Sequence, residues 1–182
     1  MGFIHMNFLS EETVLRHKNY LADLRLKYSV LEKSYPEILG LDIKEIDSLR
    51  LPSQVKREAI SKKSEIILHE LYFNSFSDKF YLSAAVKACY GSEANFLYEI
   101  ESELMKSCSY GFLLIYADIR KRLKFVFGDE LSDILLKNEP ILAIDLWEHA
   151  YFSDYAFDRK RYVKGALLHL NLSKINDFYK IG

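Results

Sequence analysis

The hydrophobic period of this 182-residue chain is that of helices over its first half and shortens to that of strands in the second, and that change limits the folds open to it. From Val14 onward, Val14, His17, Leu21, Leu24, Tyr28 and Leu31 recur every three or four positions, the spacing of one helix face. Ser10 is a good N-cap for that helix, and Glu11 and Glu12 suit the positive end of its dipole. Pro36 and Gly40 interrupt the pattern. A second helical region covers about Ile43 to Leu51, and after Pro52 a third runs to about Phe73 with Ile60, Ile67, Leu68 and Leu71 in its apolar set. Two long antiparallel helices are the economical packing for this half. The chain turns near Asn74-Ser-Phe-Ser-Asp78, which sets the expected domain boundary: 1–76, then 77–182.

Short helices are expected from Leu82 to Ala88 and from Glu93 to Ser107. The period then shortens. Gly111-Phe-Leu-Leu-Ile-Tyr116 is continuously apolar, Leu123-Lys-Phe-Val-Phe127 alternates, and Pro140-Ile-Leu-Ala-Ile-Asp-Leu146 is apolar up to its acidic residue. These segments predict a small sheet, with Arg120-Lys-Arg122 as a solvated turn at its first connection. Helices are expected again over Glu148 to about Tyr155 and about Arg161 to Leu172.

Composition narrows the function classes. The 25 basic and 26 acidic side chains nearly cancel, so the charge carries no footprint for nucleic acid or an anionic membrane. No apolar stretch approaches the roughly 20 residues of a membrane span, and the first residues do not read as a secretory leader or an acylation signal. A cytoplasmic location is expected. Cys89 and Cys108 lack CxxC pairing and read as buried free thiols.

Taken singly, each of the five histidines is best read as a hydrogen-bonded packing residue. His169 fits packing or the surface, and His5 either exposure or a chance contact near a site. Asp145-Leu-Trp-Glu-His149 differs, because a strand-to-helix corner there aims a carboxylate and an imidazole at one point, a geometry suited to a metal.

The stretch from Pro140 to Tyr151, with its Asp145-Leu-Trp-Glu-His-Ala-Tyr151, closely resembles the last metal-binding segment of the iron/manganese superoxide dismutases. Asp154-Tyr155 and Arg159-x-x-Tyr162-Val-Lys164 are similar to the helix that follows it, and Tyr90-Gly-Ser-Glu93 and Ser109-Tyr-Gly-Phe112 to two of its turns. The resemblance covers about residues 10 to 173. It implies an α+β protein, an N-terminal antiparallel helical hairpin followed by an α/β domain with a small three-stranded antiparallel sheet. Glu12-Thr-Val-Leu-Arg-His17 and His69-Glu-Leu-Tyr-Phe73 fit the hairpin's two ligand segments. The implied metal ligands are His17, His69, Asp145 and His149, holding one Fe or Mn per subunit, and the implied reaction converts superoxide to dioxygen and hydrogen peroxide. Three neutral imidazoles and one carboxylate form a mid-hard site for either metal, rather than a closed zinc site. A homodimer is also implied, in which Glu148 of each subunit reaches His149 of the other.

Around these ligands the sequence departs from the family. Arg25 stands at the ungapped position of a gateway Tyr, and cannot release a proton at working pH. Leu21 and Phe152 replace the His and Tyr of one polar contact, so both ends are apolar together. Glu65 replaces the Gln that iron-type members place four residues before the second His, and Gly128-Asp-Glu130 offers none in the turn where manganese-type members carry theirs. Phe73, Phe112 and Leu114 stand where Trp is common. Glu65, Arg25 and Glu148 are therefore the expected functional residues around the metal. Two further readings follow: a divergent Fe/Mn-binding relative with other redox or oxygen chemistry, and a metal-free interaction protein that keeps the fold. The four filled ligand positions argue against the second of these.

Overall fold

A computed structural model describes residues 6–79, 82–106 and 110–180; His5 and Cys108 lie outside them. Helix α1 (Glu11–Ser34) starts where Ser10 Oγ accepts the Thr13 N–H at 3.2 Å, and it ends at Tyr35 before Pro36. A full capping box of Asp42 and Glu45 starts the short α2 (Ile43–Ser48), and α3 (Ser53–Asn74) returns antiparallel to α1. Leu21, Tyr28, Ile38, Ile46, Ala59, Ile60 and Ile66 fill the space among these helices.

The rest of the chain is mixed. Helices α4 (Ala84–Tyr90) and α5 (Glu93–Lys106) precede strands β1 (Phe112–Ala117) and β2 (Leu123–Gly128). Helix α6 (Ser132–Lys137) leads into β3 (Glu139–Asp145), and α7 (Phe152–Tyr155), α8 (Arg159–Leu168) and α9 (Ser173–Tyr179) follow. The sheet is antiparallel in the order β2-β1-β3, so the architecture is α+β. Central β1 is buried on both faces, which is why its sequence reads as a continuous apolar run rather than an alternation. Phe96, Ile100 and Leu104 of α5 and Tyr162, Val163 and Ala166 of α8 join it in the larger core. At roughly 1.5–3 kcal/mol per buried large apolar side chain, this cluster is the main source of cohesion. No helix among the described residues is long and apolar enough to cross a membrane.

The structure departs from the expected elements where lengths are short. Helices α6 and α9 carry no side-chain cap, the signal that marks a short helix in sequence. The expected helix from Glu148 to Tyr155 is instead a 3-10 turn (Glu148–Ala150) followed by α7, because Tyr151 leaves the helical region at φ −145°. That break holds His149 in a tight turn. Arg120-Lys-Arg122 does form the β1–β2 turn, where hydrogen bonds from the backbone and side chain of Arg122 hold Asp118 down to about 2. Cys89 corrects an expectation: it is exposed, near the end of α4.

Two junctions position the ends of the long elements. Ser75, fully buried just after α3, accepts the Ala143 N–H at 2.8 Å and donates to Leu71 O at 2.7 Å, which fastens the end of α3 to β3. At the other end, Ser10 N–H donates to Asp154 Oδ2 at 2.7 Å, and the Tyr155 hydroxyl donates to Phe8 O. The start of α1 is therefore clasped by the segment following His149.

Gly111 closes the site end of the sheet with φ +108°, and its carbonyl accepts Leu146 N–H at 2.8 Å. A Cβ there would lie 2.1 Å from Gly128 O. Gly111→Ala is expected to cost about 3 kcal/mol of unfolding free energy, measured as a lowered urea midpoint; an unchanged midpoint would mean the turn re-forms without loss.

Candidate metal centre

Strand β3 delivers Asp145 to the interior, and every oxygen of that residue has a separate task. Its side chain is fully buried. The carbonyl accepts the Tyr162 hydroxyl at 2.6 Å, and Oδ1 accepts the Trp147 N–H at 2.8 Å. Oδ2 is left facing inward, where Nε2 of His17 stands at 3.0 Å, of His149 at 3.0 Å and of His69 at 3.4 Å. One ligand atom from each of the four residues can be chosen so that all lie within 4.8 Å of one another.

Each imidazole reaches this point from a different element. His17 lies on the buried face of α1, and His69 is one turn from the end of α3 that Ser75 fastens to β3. His149 comes from the turn after β3. The His69 Nδ1–H donates to Glu65 O at 2.8 Å, which fixes the tautomer and leaves Nε2 as a lone pair aimed at the centre. Burial pushes the His69 imidazole pKa down, favouring the neutral form that ligates a metal. Burial by itself would raise the Asp145 carboxyl, but the imidazoles of His149 and His17 close beside Oδ2 hold it well below the ordinary carboxylate range.

The donor set fits a metal ion. His17 is 1% exposed, yet neither ring nitrogen has a hydrogen-bond partner, although Nε2 is 3.0 Å from a carboxylate oxygen. Lone pairs crowded on an anionic oxygen without an aligned proton repel one another, and a cation among them reverses the sign of the interaction. Donors each roughly 2.0–2.2 Å from one ion, at angles of about 90–110°, sit roughly 2.9–3.6 Å apart, a range that includes all three contacts.

Aromatic rings surround the group. Tyr72 and Phe73 pack on His17 with centroids 4.8 and 4.9 Å away, and Phe112 meets His69 edge-on at 5.1 Å. Tyr20 stacks on His149 at 4.4 Å. Its hydroxyl donates to Glu65 Oε1 at 2.9 Å, and burial together with the Glu65 carboxylate pushes its pKa up to about 12.

Over residues 78–178 the chain matches the family model described as iron/manganese superoxide dismutases, C-terminal domain. This chain belongs to that family. It is 28% identical over 123 residues to an iron superoxide dismutase of Cupriavidus metallidurans, an alignment covering 64% of this chain and 62% of the relative. The chain therefore spans less than two thirds of that relative's length.

Three residues singled out for this family member by sequence lie in distinct settings. Glu65 is beside the centre, where its carboxylate and its carbonyl each take one of the bonds described above. Glu148 is exposed next to His149. Arg25 lies elsewhere: its guanidinium pairs with Glu70 at 2.8 Å on the exposed surface between α1 and α3. Residue 25 follows His17 by eight positions, two turns plus about 80° around the helix, and Glu70 supplies a counter-charge on that outer face.

Two cavities reach His149. One, of about 300 Å³, lies between α3 and the turn after β2, and both places where sequence reasoning looked for a Gln line it: Glu65 on one wall, Asp129 and Glu130 on the other. The second, of about 430 Å³, is bordered by Arg16, Glu148, His149 and Phe152. Tyr20 lines both.

Sequence reasoning missed Tyr20, Tyr162 and Ser75. Tyr20 follows His17 by three residues, a spacing that places both on neighbouring helix faces and was the available signal. Tyr162→Phe removes the bond to the Asp145 carbonyl inside a fully buried site. It is expected to destabilise the metal-free protein by about 1–2 kcal/mol in urea unfolding; no change would mean the carbonyl finds another donor.

Proposed function

We propose that this chain is an iron- or manganese-dependent superoxide dismutase. The observation that carries the reading is the convergence of three imidazole Nε2 atoms on one buried carboxylate oxygen. Fe or Mn bound there supplies one-electron chemistry, by which one superoxide is oxidised to dioxygen and a second, with two protons, is reduced to hydrogen peroxide. His17, His69, Asp145 and His149 hold the ion. Trp147 N–H and the Tyr162 hydroxyl keep Asp145 turned toward it, and the carbonyl of Glu65 keeps the His69 lone pair in line.

Charge favours one route for an anionic substrate. The smaller cavity carries Glu65, Asp129 and Glu130 and no Lys or Arg in its lining, whereas the larger one is bordered by a single carboxylate, Glu148, and by Arg16, which pairs with Glu12. Superoxide approaches by the Arg16 side. Glu148 is exposed at that mouth, where in a homodimer it reaches His149 of the second subunit and orients the ring.

The acidic cavity favours a second reading, a metal-binding relative with other redox chemistry and little dismutase activity, because it repels an anion and has room for a small organic molecule. Metal analysis of the purified protein together with a superoxide-consumption assay separates the two. About one Fe or Mn per chain, with superoxide consumption that Asp145→Ala abolishes along with the metal, supports the dismutase. Bound metal without consumption supports the second reading, and a parent protein as metal-free as Asp145→Ala overturns both.

The Glu65 carboxylate beside the centre stabilises the higher oxidation state and so lowers the reduction potential. Glu65→Gln is expected to raise the potential of the loaded protein and its dismutase rate. An unaltered potential by spectroelectrochemical titration would show that the carboxylate does not act on the metal.

A further inference from the structure

The three imidazoles are held in place by different means. His69 is fixed by its bond to the Glu65 carbonyl, and His17 by burial between Tyr72 and Phe73. His149 has neither within its own chain; besides Tyr20, its ring meets the rings of His17 and His69. Its side chain is 31% exposed, it sits in a three-residue 3-10 turn, and the polar contacts of its ring run through Nε2, to Asp145 Oδ2 and His69 Nε2. Both contacts involve the nitrogen that must ligate the metal, so neither fixes the ring from behind.

We propose that Tyr20 is a positioning residue that holds the His149 ring in its ligating orientation. This rests on the metal-centre reading above. The two rings are stacked, with centroids 4.4 Å apart and planes 29° from parallel, and Tyr20 also lies 5.3 Å from the His69 ring. Tyr20 is itself pinned at both ends, by its place in α1 and by the 2.9 Å bond from its hydroxyl to Glu65 Oε1 on α3. One residue of α3 thus orients two of the three imidazoles, His69 through its carbonyl and His149 through Tyr20.

Ordinary core packing does not account for this side chain. Tyr20 belongs to neither apolar cluster, and it is the residue shared by the two cavities that reach His149. A ring that loses its stack samples other rotamers, and a ligand present in the right orientation for only part of the time binds correspondingly less tightly.

The test uses the full chain with Tyr20→Leu and Tyr20→Phe, and two readouts. In the metal-free protein, the His149 imidazole proton–nitrogen signals, assigned by their loss in His149→Gln, report the stack through its ring-current shift. Co(II), added as a probe metal, reports ligation through its visible spectrum and its release rate into a chelator. Tyr20→Leu should lose the ring-current shift, alter the Co(II) spectrum and release the metal roughly three- to tenfold faster, the range expected for one aromatic pair. Tyr20→Phe keeps the ring but loses its bond to Glu65, and should give values between those of the Leu variant and the parent. Tyr20→Gln, helix-forming and polar, carries the same test if the Leu variant does not fold. His149 signals unchanged in the Leu or Gln variant overturn the proposal, and so does altered His149 with unaltered Co(II) release. If the parent takes up no Co(II) while the His149 signals respond, the dismutase reading fails and the proposal fails with respect to ligation, leaving a stack without a metal to serve.

Discussion

A single carboxylate buried at the end of a strand sets the requirements that the rest of the molecule meets. Removing Asp145 from water is costly unless its charge is compensated; a backbone N–H and a tyrosine hydroxyl are the donors for Oδ1 and the carbonyl, and three imidazole nitrogens able to hold a cation stand around Oδ2. Those groups come from four separate stretches of chain. The fold can satisfy the carboxylate only if α1, α3, β3 and the start of α8 are all brought to within a few ångströms of one point. The same arrangement suits a transition metal, which binds where lone pairs converge on an anionic oxygen.

The long-range bonds away from the centre follow from that requirement. Ser75 fastens the end of α3 to β3, which fixes the spacing of His69 and Asp145. Ser10 and Phe8 are clasped by Asp154 and Tyr155, which sets the start of the helix carrying His17 against the segment carrying His149. Gly111 lets β1 and β2 approach where β3 leaves the sheet toward the ligand turn. Each of these contacts is small in energy, but together they convert a general apolar collapse into one geometry.

The surroundings of the centre also explain how family ligands persist beside an altered environment. Phe73 and Phe112 stand at positions where the sequence pattern led one to expect Trp, and they still pack on His17 and His69. On the side of the turn after β2, three carboxylates border a cavity next to His149. Tyr20 and Glu65 close that side of the centre through a contact between helices that the sequence pattern did not assign.

The sequence by itself determined the long elements and the family to which the chain belongs. The three-to-four-residue spacing from Val14 to Leu31 is a local property that burial of one helix face imposes, and the apolar run of β1 records burial on both sides of a central strand. His17, His69, Asp145 and His149 were legible only through the family resemblance of their segments, since a histidine taken singly reads as packing; the structure brings the four together. Short elements such as α6 and the break at Tyr151 were not legible, since neither has a cap or periodicity long enough to read. Only the tertiary structure decided that Arg25 faces outward to Glu70, that Tyr20 covers His149, and that Glu65, Asp129 and Glu130 share one cavity. These are ordinary residue types whose roles depend on partners dozens of positions away, and no local pattern in a chain encodes which surfaces packing will bring together.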